Sequence, residues 1–391
     1  MVDTVLYQYM NEMLKQTTQE HFRYLYDEID WNAHMVGITG PRGVGKSTMI
    51  LQHIKKQHDI STMLYVSADH LYFNNHTLVY LADEFVKEGG TNLFIDEIHK
   101  YKEWSRELKQ IHDVHAGLHI VFTGSSILDI NRGQADLSRR ALMYRMQGLS
   151  FREYLMIFHN VDVPVYSLED ILDHRVDIPG IEHPLPLFRK YLAVGYYPFS
   201  LETGFAQRIN QVVQQTIDVD IAQYANMKPA TTRKLKQMLT AISGLAPYKP
   251  NFDNLAKEVS VSKNNVPDYL VYLEQAGMLS LLRDNTSGMR ALGKIEKVYI
   301  DNPSLMTALA GGSPDMGNLR ETFFFNQMRV NHPIMSSRES DFHIDPYTFE
   351  IGGKKKGKKQ IDNVPDGRIV KDDIETGHGI VIPLWYFGMN Y

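Results

Sequence analysis

Three short groups of residues carry the types and spacings of phosphate chemistry. The first is Gly40, Pro41, Arg42, Gly43, Val44, Gly45, Lys46, Ser47 and Thr48, which fits the pattern GxxxxGK[ST]. Its glycines let backbone N–H groups curl around a phosphate chain with no Cβ in the way. Lys46 is expected to reach the β- and γ-phosphates of ATP, and the Ser47 hydroxyl to ligate Mg²⁺. In the second group, an apolar run from Asn92 to Ile95 leads straight into Asp96 and Glu97. Asp96 is expected to hold the magnesium through water, and Glu97 to polarise the attacking water. The third group, Thr123-Gly124-Ser125-Ser126, closes a run from His119 to Phe122. A polar residue there can hydrogen-bond the γ-phosphate or the lytic water, and Ser125 is taken as that sensor. The competing role is a helix N-cap, which Ser126 would serve equally well.

The elements needed to position these groups are legible around them. Apolar runs at Met35–Ile38, Met63–Val66, Asn92–Ile95 and His119–Phe122 read as strands, and Leu142–Met146 as a fifth. Helical spacing fills the intervals at Thr48–Ile54, Leu78–Lys87 and Trp104–His115. Strands alternating with helices imply a mostly parallel sheet with ligand at the strands' C-terminal ends. Every residue singled out above lies at such an end. Residues 1–34 read as one or two helices entering the first strand, with Arg23, Tyr24 and Trp31 as packing at the sheet edge.

Composition narrows the function classes. The 391 residues are 43% hydrophobic and 22% charged, the balance of a globular protein with room for two to four domains. A net charge of −5 excludes a chain that coats nucleic acid by bulk electrostatics, so any such contact must be local. There is no cysteine, hence no disulfide, thiolate nucleophile or Cys-ligated zinc, which fits a reducing, cytoplasmic setting. Polar residues interrupt the first fourteen positions, so they do not read as a signal peptide, and no apolar run approaches the roughly 20 residues that span a bilayer. No membrane partner is expected.

The segments GPRGVGKST, FIDEIHKYKEW, FTGSS and LSRRALMYRMQGLSFREYL, in this order, make the chain resemble AAA-type bacterial and archaeal P-loop ATPases with a restriction-endonuclease-like C-terminal part. The resemblance implies an α/β fold of the ASCE type, in which the sensor strand lies between the P-loop strand and the Walker B strand. With the spacing of the later segments, the chain reads as four regions: an ATPase core over 1–158, a helical lid-like block over 159–240, a winged-helix-like domain over 241–305, and a small α+β nuclease-like domain over 306–391. Where the family reads Gly-Arg, this chain has Arg139–Arg140, and the match makes Arg140 the candidate arginine finger, acting in a neighbouring subunit's site or its own; the competing role is an exposed structural arginine. A finger acting in trans requires a homo-oligomer.

Beyond the core, 151–240 alternates helical segments with proline-rich connections. Phe252–Arg283 has helix-turn-helix spacing, and Met278–Leu282 with Lys297–Ile300 form a hairpin after it. A DNA reader of this kind would present Ser262, Lys263, Asn264 and Asn265, although Asp268 and Glu274 on the same helix limit phosphate neutralisation. In the nuclease-like part, Asp341 and Glu350 are in register with the family's metal-binding acids. Position 352, which should be lysine, is Gly352, with Lys354 the nearest substitute, so the domain reads as degenerate. Five lysines at Lys354, Lys355, Lys356, Lys358 and Lys359 form either a solvated loop flanked by glycines or a second place for DNA. The function expected is Mg²⁺-dependent ATP hydrolysis driving a conformational cycle tied to a nucleic-acid or protein partner. The alternatives are a nucleotide-gated binding module with little turnover and, more remotely, an ATP-regulated nuclease.

Overall fold

A computed structural model describes residues 1–124, 137, 139–284, 294–357 and 359–391. The chain divides into two compact units, Met1–Gln147 and Gly148–Tyr391.

The first unit is a five-stranded, all-parallel sheet in the order β2-β3-β4-β1-β5, with β1 Met35–Thr39, β2 Met63–Ser67, β3 Asn92–Asp96, β4 His119–Gly124 and β5 Leu142–Arg145. The strand that carries the expected sensor, β4, does lie between β1 and β3. β1 and β2 are buried along their whole length, as near-continuous apolar runs in a covered parallel sheet must be. The flanking helices bury single stripes. On α3, Leu78–Lys87, the stripe is Leu78, Leu81, Ala82 and Phe85; on α4, Trp104–Val114, it is Trp104, Leu108 and Ile111. Two apolar clusters result. One joins α3, α4, β3 and β4; the other joins β1, the helix α2 (Lys46–Lys56) and the N-terminal helix α1 (Thr4–Gln16).

The second unit starts with helices at Phe151–His159, Leu168–Leu172 and Leu185–Val194. The first two begin with reciprocal capping boxes, Ser150 with Glu153 and Ser167 with Asp170. A further α-helix, Phe205–Gln215, runs directly into a π-helix at Thr216–Ile221. Apolar periodicity does not reveal such a wide turn, because the same residues stay on the buried side. Helices Phe252–Glu258 and Val266–Gln275 flank a short turn, and β6 Leu279–Arg283 pairs antiparallel with β7 Ile295–Ile300. The expected order of helix, turn, helix and hairpin is present. A second sheet has the order β12-β11-β10-β9-β8. Its strands are β8 Met335–Ser336, β9 Phe342–Ile344, β10 Tyr347–Gly352, β11 Gly367–Lys371 and β12 Val381–Pro383. β8, β9 and β10 are antiparallel, while β11 and β12 continue parallel to β10.

Candidate functional site

The phosphate loop joins β1 to α2. Gly43 and Gly45 have φ of 77° and 100°, a region open to glycine and strained for other residues. A Cβ on Gly40 would collide with the Met146 carbonyl, so this glycine is fixed by close approach. Gly45 caps α2 in the left-handed conformation and no side chain caps the helix, the condition under which first-turn N–H groups can serve an anion. The buried Lys46 ammonium donates to the carbonyls of Gly40 (2.9 Å) and Pro41 (2.8 Å). It is thus already poised over the loop whose phosphate ligand it is expected to meet. Ser47 is half-buried at the start of α2, and Thr48 is exposed.

Arg23, expected at the sheet edge, proves to be a brace for this loop. Its buried guanidinium donates to the Val44 carbonyl and, at 2.9 Å, to the Gln147 carbonyl. Nothing in local spacing signals this, since the partners lie far along the chain.

At the end of β3, Asp96 is buried and accepts two neutral hydroxyls, Thr123 Oγ1 on Oδ1 and Tyr65 Oη on Oδ2 at 2.9 Å. Burial first, and then the Asp96 charge, push the Tyr65 phenol far above its ordinary value, which keeps it a donor. Thr123 also accepts the Glu97 N–H at 3.1 Å. Glu97 itself adopts φ 51°, ψ 39°, an uncommon conformation for a residue with a side chain and one that collects at functional sites. Its carboxylate lies 3.4 Å from His99 Nε2 and 3.9 Å from the Arg42 guanidinium of the phosphate loop.

Ser125, the expected sensor, and Ser126 lie outside the described residues. Within them, Thr123 is the polar residue at the end of β4 that touches both acids. It was present in the same tetrapeptide, but its place inside the strand disguised it as a core position. Arg140 makes a two-pronged pair with Asp113 at the end of α4, at 2.8 and 3.0 Å. Hydrogen bonds from Arg140 first, then from His112, hold the Asp113 carboxyl down at about 2.

In the second unit the other expected acids lie just before β9 (Asp341) and on β10 (Glu350), each with a lysine on it. Asp341 Oδ2 accepts the Ile351 N–H at 2.9 Å, while its Oδ1 lies 3.3 Å from Lys297 Nζ. The same ammonium is 3.2 Å from Glu321, which also accepts the Tyr299 hydroxyl at 2.9 Å. Burial first, and then Asp341, push the Glu321 carboxyl up against the pull of Lys297. Glu350 is buried, accepts the Ser340 hydroxyl and pairs with Lys356. The nearest substitute for the missing lysine is therefore Lys356 and not Lys354, because the turn after Gly352 folds Lys356 back over the strand while Lys354 stays exposed. Beside Asp341 and Lys297 opens a cleft of about 800 Å³ whose other charged lining is Lys249, Asp284, Glu296 and Arg338. Of the expected DNA-facing residues, Lys263 is paired with Asp253 at 2.8 Å. Among the described residues, no group of three or more His, Cys, Asp or Glu is placed to hold a metal ion by itself.

Residues 32–155 match the AAA domain family, and residues 185–316 match a domain of unknown function. The N-terminal unit is built on an AAA-type P-loop domain. The match encloses the phosphate loop, both acids of β3 and β4, and leaves α1 outside. An uncharacterized protein of Methanocaldococcus jannaschii is 25% identical over 298 residues, covering 70% of this chain; the chain spans 62% of that relative's length. Among solved structures, a Walker-type ATPase of Pyrococcus abyssi superposes with a TM-score of 0.45 at 12% identity, covering 73% of this chain and 93% of that one. The RuvB Holliday junction branch migration motor of Thermotoga maritima gives 0.28 at 16% identity, over 70% and 89% of the two chains. No described helix is long and apolar enough to cross a membrane.

Proposed function

We propose that the AAA-type domain binds Mg-ATP and hydrolyses it, and that the hydrolysis drives a conformational cycle in a larger assembly. The observation that carries this reading is the convergence at the β3 and β4 ends. Asp96 keeps a negative charge held by two neutral donors, and the backbone of Glu97 is fixed by the same Thr123 hydroxyl. Such a pair fits a hydrated magnesium and a water-polarising base. The loop from Gly40 to Thr48 would hold the phosphates, with Lys46 on the β- and γ-groups, and Ser47 and Asp96 would hold the magnesium. When bound, the metal supplies neutralisation of phosphate charge. Ser125 remains in the proposal as a γ-phosphate sensor, alongside Thr123, and Arg140 as an arginine finger.

A second reading, a nucleotide-gated module with little turnover, draws on a specific feature. Arg140 is engaged by Asp113, and the Glu97 carboxylate lies between Arg42 and His99. In this state Arg140 and Glu97 are engaged by neighbouring side chains, which favours slow basal turnover and release by a partner or a second subunit. The helix-turn-helix with its hairpin supports a winged-helix reading, and the exposed Lys354, Lys355 and Lys359 support DNA as that partner. Phosphodiester cleavage is disfavoured, because lysines already pair with Asp341 and Glu350.

The separating experiment is Glu97→Gln, assayed for bound ATP and released phosphate, with and without double-stranded DNA. Hydrolysis predicts retained ATP and turnover lowered by about a hundredfold or more. A wild type that releases no phosphate in any condition leaves the gating reading standing alone.

A further inference from the structure

Tyr65 stands on β2, in register with Phe94, two residues before the position that pairs with Asp96. Tyr65, Ser67, Phe94 and Asp96 therefore share one face of the sheet. The Tyr65 ring is 1% exposed, and its only polar atom donates to Asp96 Oδ2 at 2.9 Å. From β4 on the other side of β3, Thr123 donates to Oδ1. One carboxylate at a strand end is thus gripped from both neighbouring strands.

The grip is itself buttressed from α1. Tyr9 stacks on Tyr65 with ring centroids 6.1 Å apart and planes within 15°, and the Tyr65 N–H points to the Met10 sulfur at 3.3 Å. Val2 and Leu6 of the same segment enter the apolar cluster that contains Leu93 and Ile95 of β3. This segment precedes residues 32–155, the part that matches the AAA family.

We propose that Tyr65 is a positioning residue for the magnesium site, and that α1 is the element that holds it in place. The inference rests on the Mg-ATP reading above. Each carboxylate oxygen has two acceptor directions, and one hydroxyl per oxygen leaves one direction free on each. Both donors are neutral, so the full negative charge remains for a hydrated cation. Without the phenol, Asp96 is held by the Thr123 hydroxyl alone, and its last torsion loses one of its two restraints. Partners that orient a metal-binding carboxylate typically change metal affinity tenfold to a hundredfold.

The test is Tyr65→Phe, which keeps the ring, the stack and the core volume. ATP affinity is measured calorimetrically in EDTA and across a magnesium series, and phosphate release is followed over the same series. The expected result is unchanged affinity in EDTA, a magnesium requirement raised roughly tenfold, and a maximal rate recovered at saturating magnesium. Tyr9→Leu, which leaves the phenol but removes its support, is expected to shift the magnesium curve in the same direction by less. Magnesium curves of Tyr65→Phe and wild type that overlay would overturn the proposal. So would an equal loss of ATP affinity with and without magnesium, since that marks a packing role alone. A wild type that binds no ATP in either buffer overturns the underlying reading instead, and the two failures are distinct.

Discussion

Two sets of buried or half-buried acids in this chain are held in opposite ways. At the end of β3, Asp96 is held by the hydroxyls of Tyr65 and Thr123. In the second unit, Asp341 and Glu321 share Lys297, and Glu350 is covered by Lys356. A hydroxyl satisfies a carboxylate lone pair without cancelling its charge, so the site stays short of a cation. An ammonium supplies the cation, and a metal must then displace it at the cost of a lost ion pair. Similar residue types in a sequence therefore lead to different environments: the first acid keeps neutral partners, which suits the proposed magnesium role, and the acids of the second already have ammonium groups on them.

The sharpest way to break this contrast is at the phosphate loop. Lys46→Ala removes an ammonium that is held by loop carbonyls and is proposed to meet phosphate. It is expected to weaken Mg-ATP binding by about 3 kcal/mol, the loss of one or two charge-assisted hydrogen bonds. Calorimetry on the folded variant reads this directly, and unchanged affinity would remove Lys46 from the site.

On the other side of the contrast, Lys297→Met leaves Glu321 and Asp341 facing each other. The ammonium is 32% exposed, so solvent screens part of the effect, and a loss of about 1–3 kcal/mol is expected at neutral pH. The sign with pH follows from Glu321, whose carboxyl is raised in the folded chain. The folded state holds that proton at pH values where the unfolded chain has released it. Stability from this group is present at acid pH and falls as pH rises through the raised value. Denaturant unfolding of Lys297→Met should accordingly show its largest deficit near pH 7 and a smaller one near pH 4. A deficit independent of pH would mean that Lys297 acts by packing.

The smallest effect on the fold is expected at the lysine loop. Neutralising the exposed Lys354, Lys355 and Lys359 should leave unfolding unchanged. If the loop holds DNA, the substitutions should flatten the salt dependence of binding by roughly 0.9 in log–log slope for each phosphate that is no longer neutralised. Equal slopes for variant and wild type would assign the loop to solvent.

The parallel sheet and its ligand end were legible because each strand of the first unit is a short apolar run closed by polar residues. The P-loop spacing also fixed where the turn into α2 had to fall. The order β3-β4-β1 came from the resemblance, since spacing along a chain does not say which strands are neighbours. Three features stayed hidden. Arg23 and Tyr65 act through partners far away in sequence, and each looks locally like core or edge packing. Thr123 occupies a strand position that alternation assigns to the interior. In the second unit the acids were visible but their lysines were not: Lys297 arrives from β7, and Lys356 from a turn whose path depends on Gly352.

One titration bears most directly on the whole account. Mg-ATP added to the full chain in a calorimeter should give a saturable, one-site heat that weakens when EDTA removes the metal. Folded protein that gives no heat with Mg-ATP, or the same affinity with and without magnesium, would contradict a site prepared for the metal and its nucleotide.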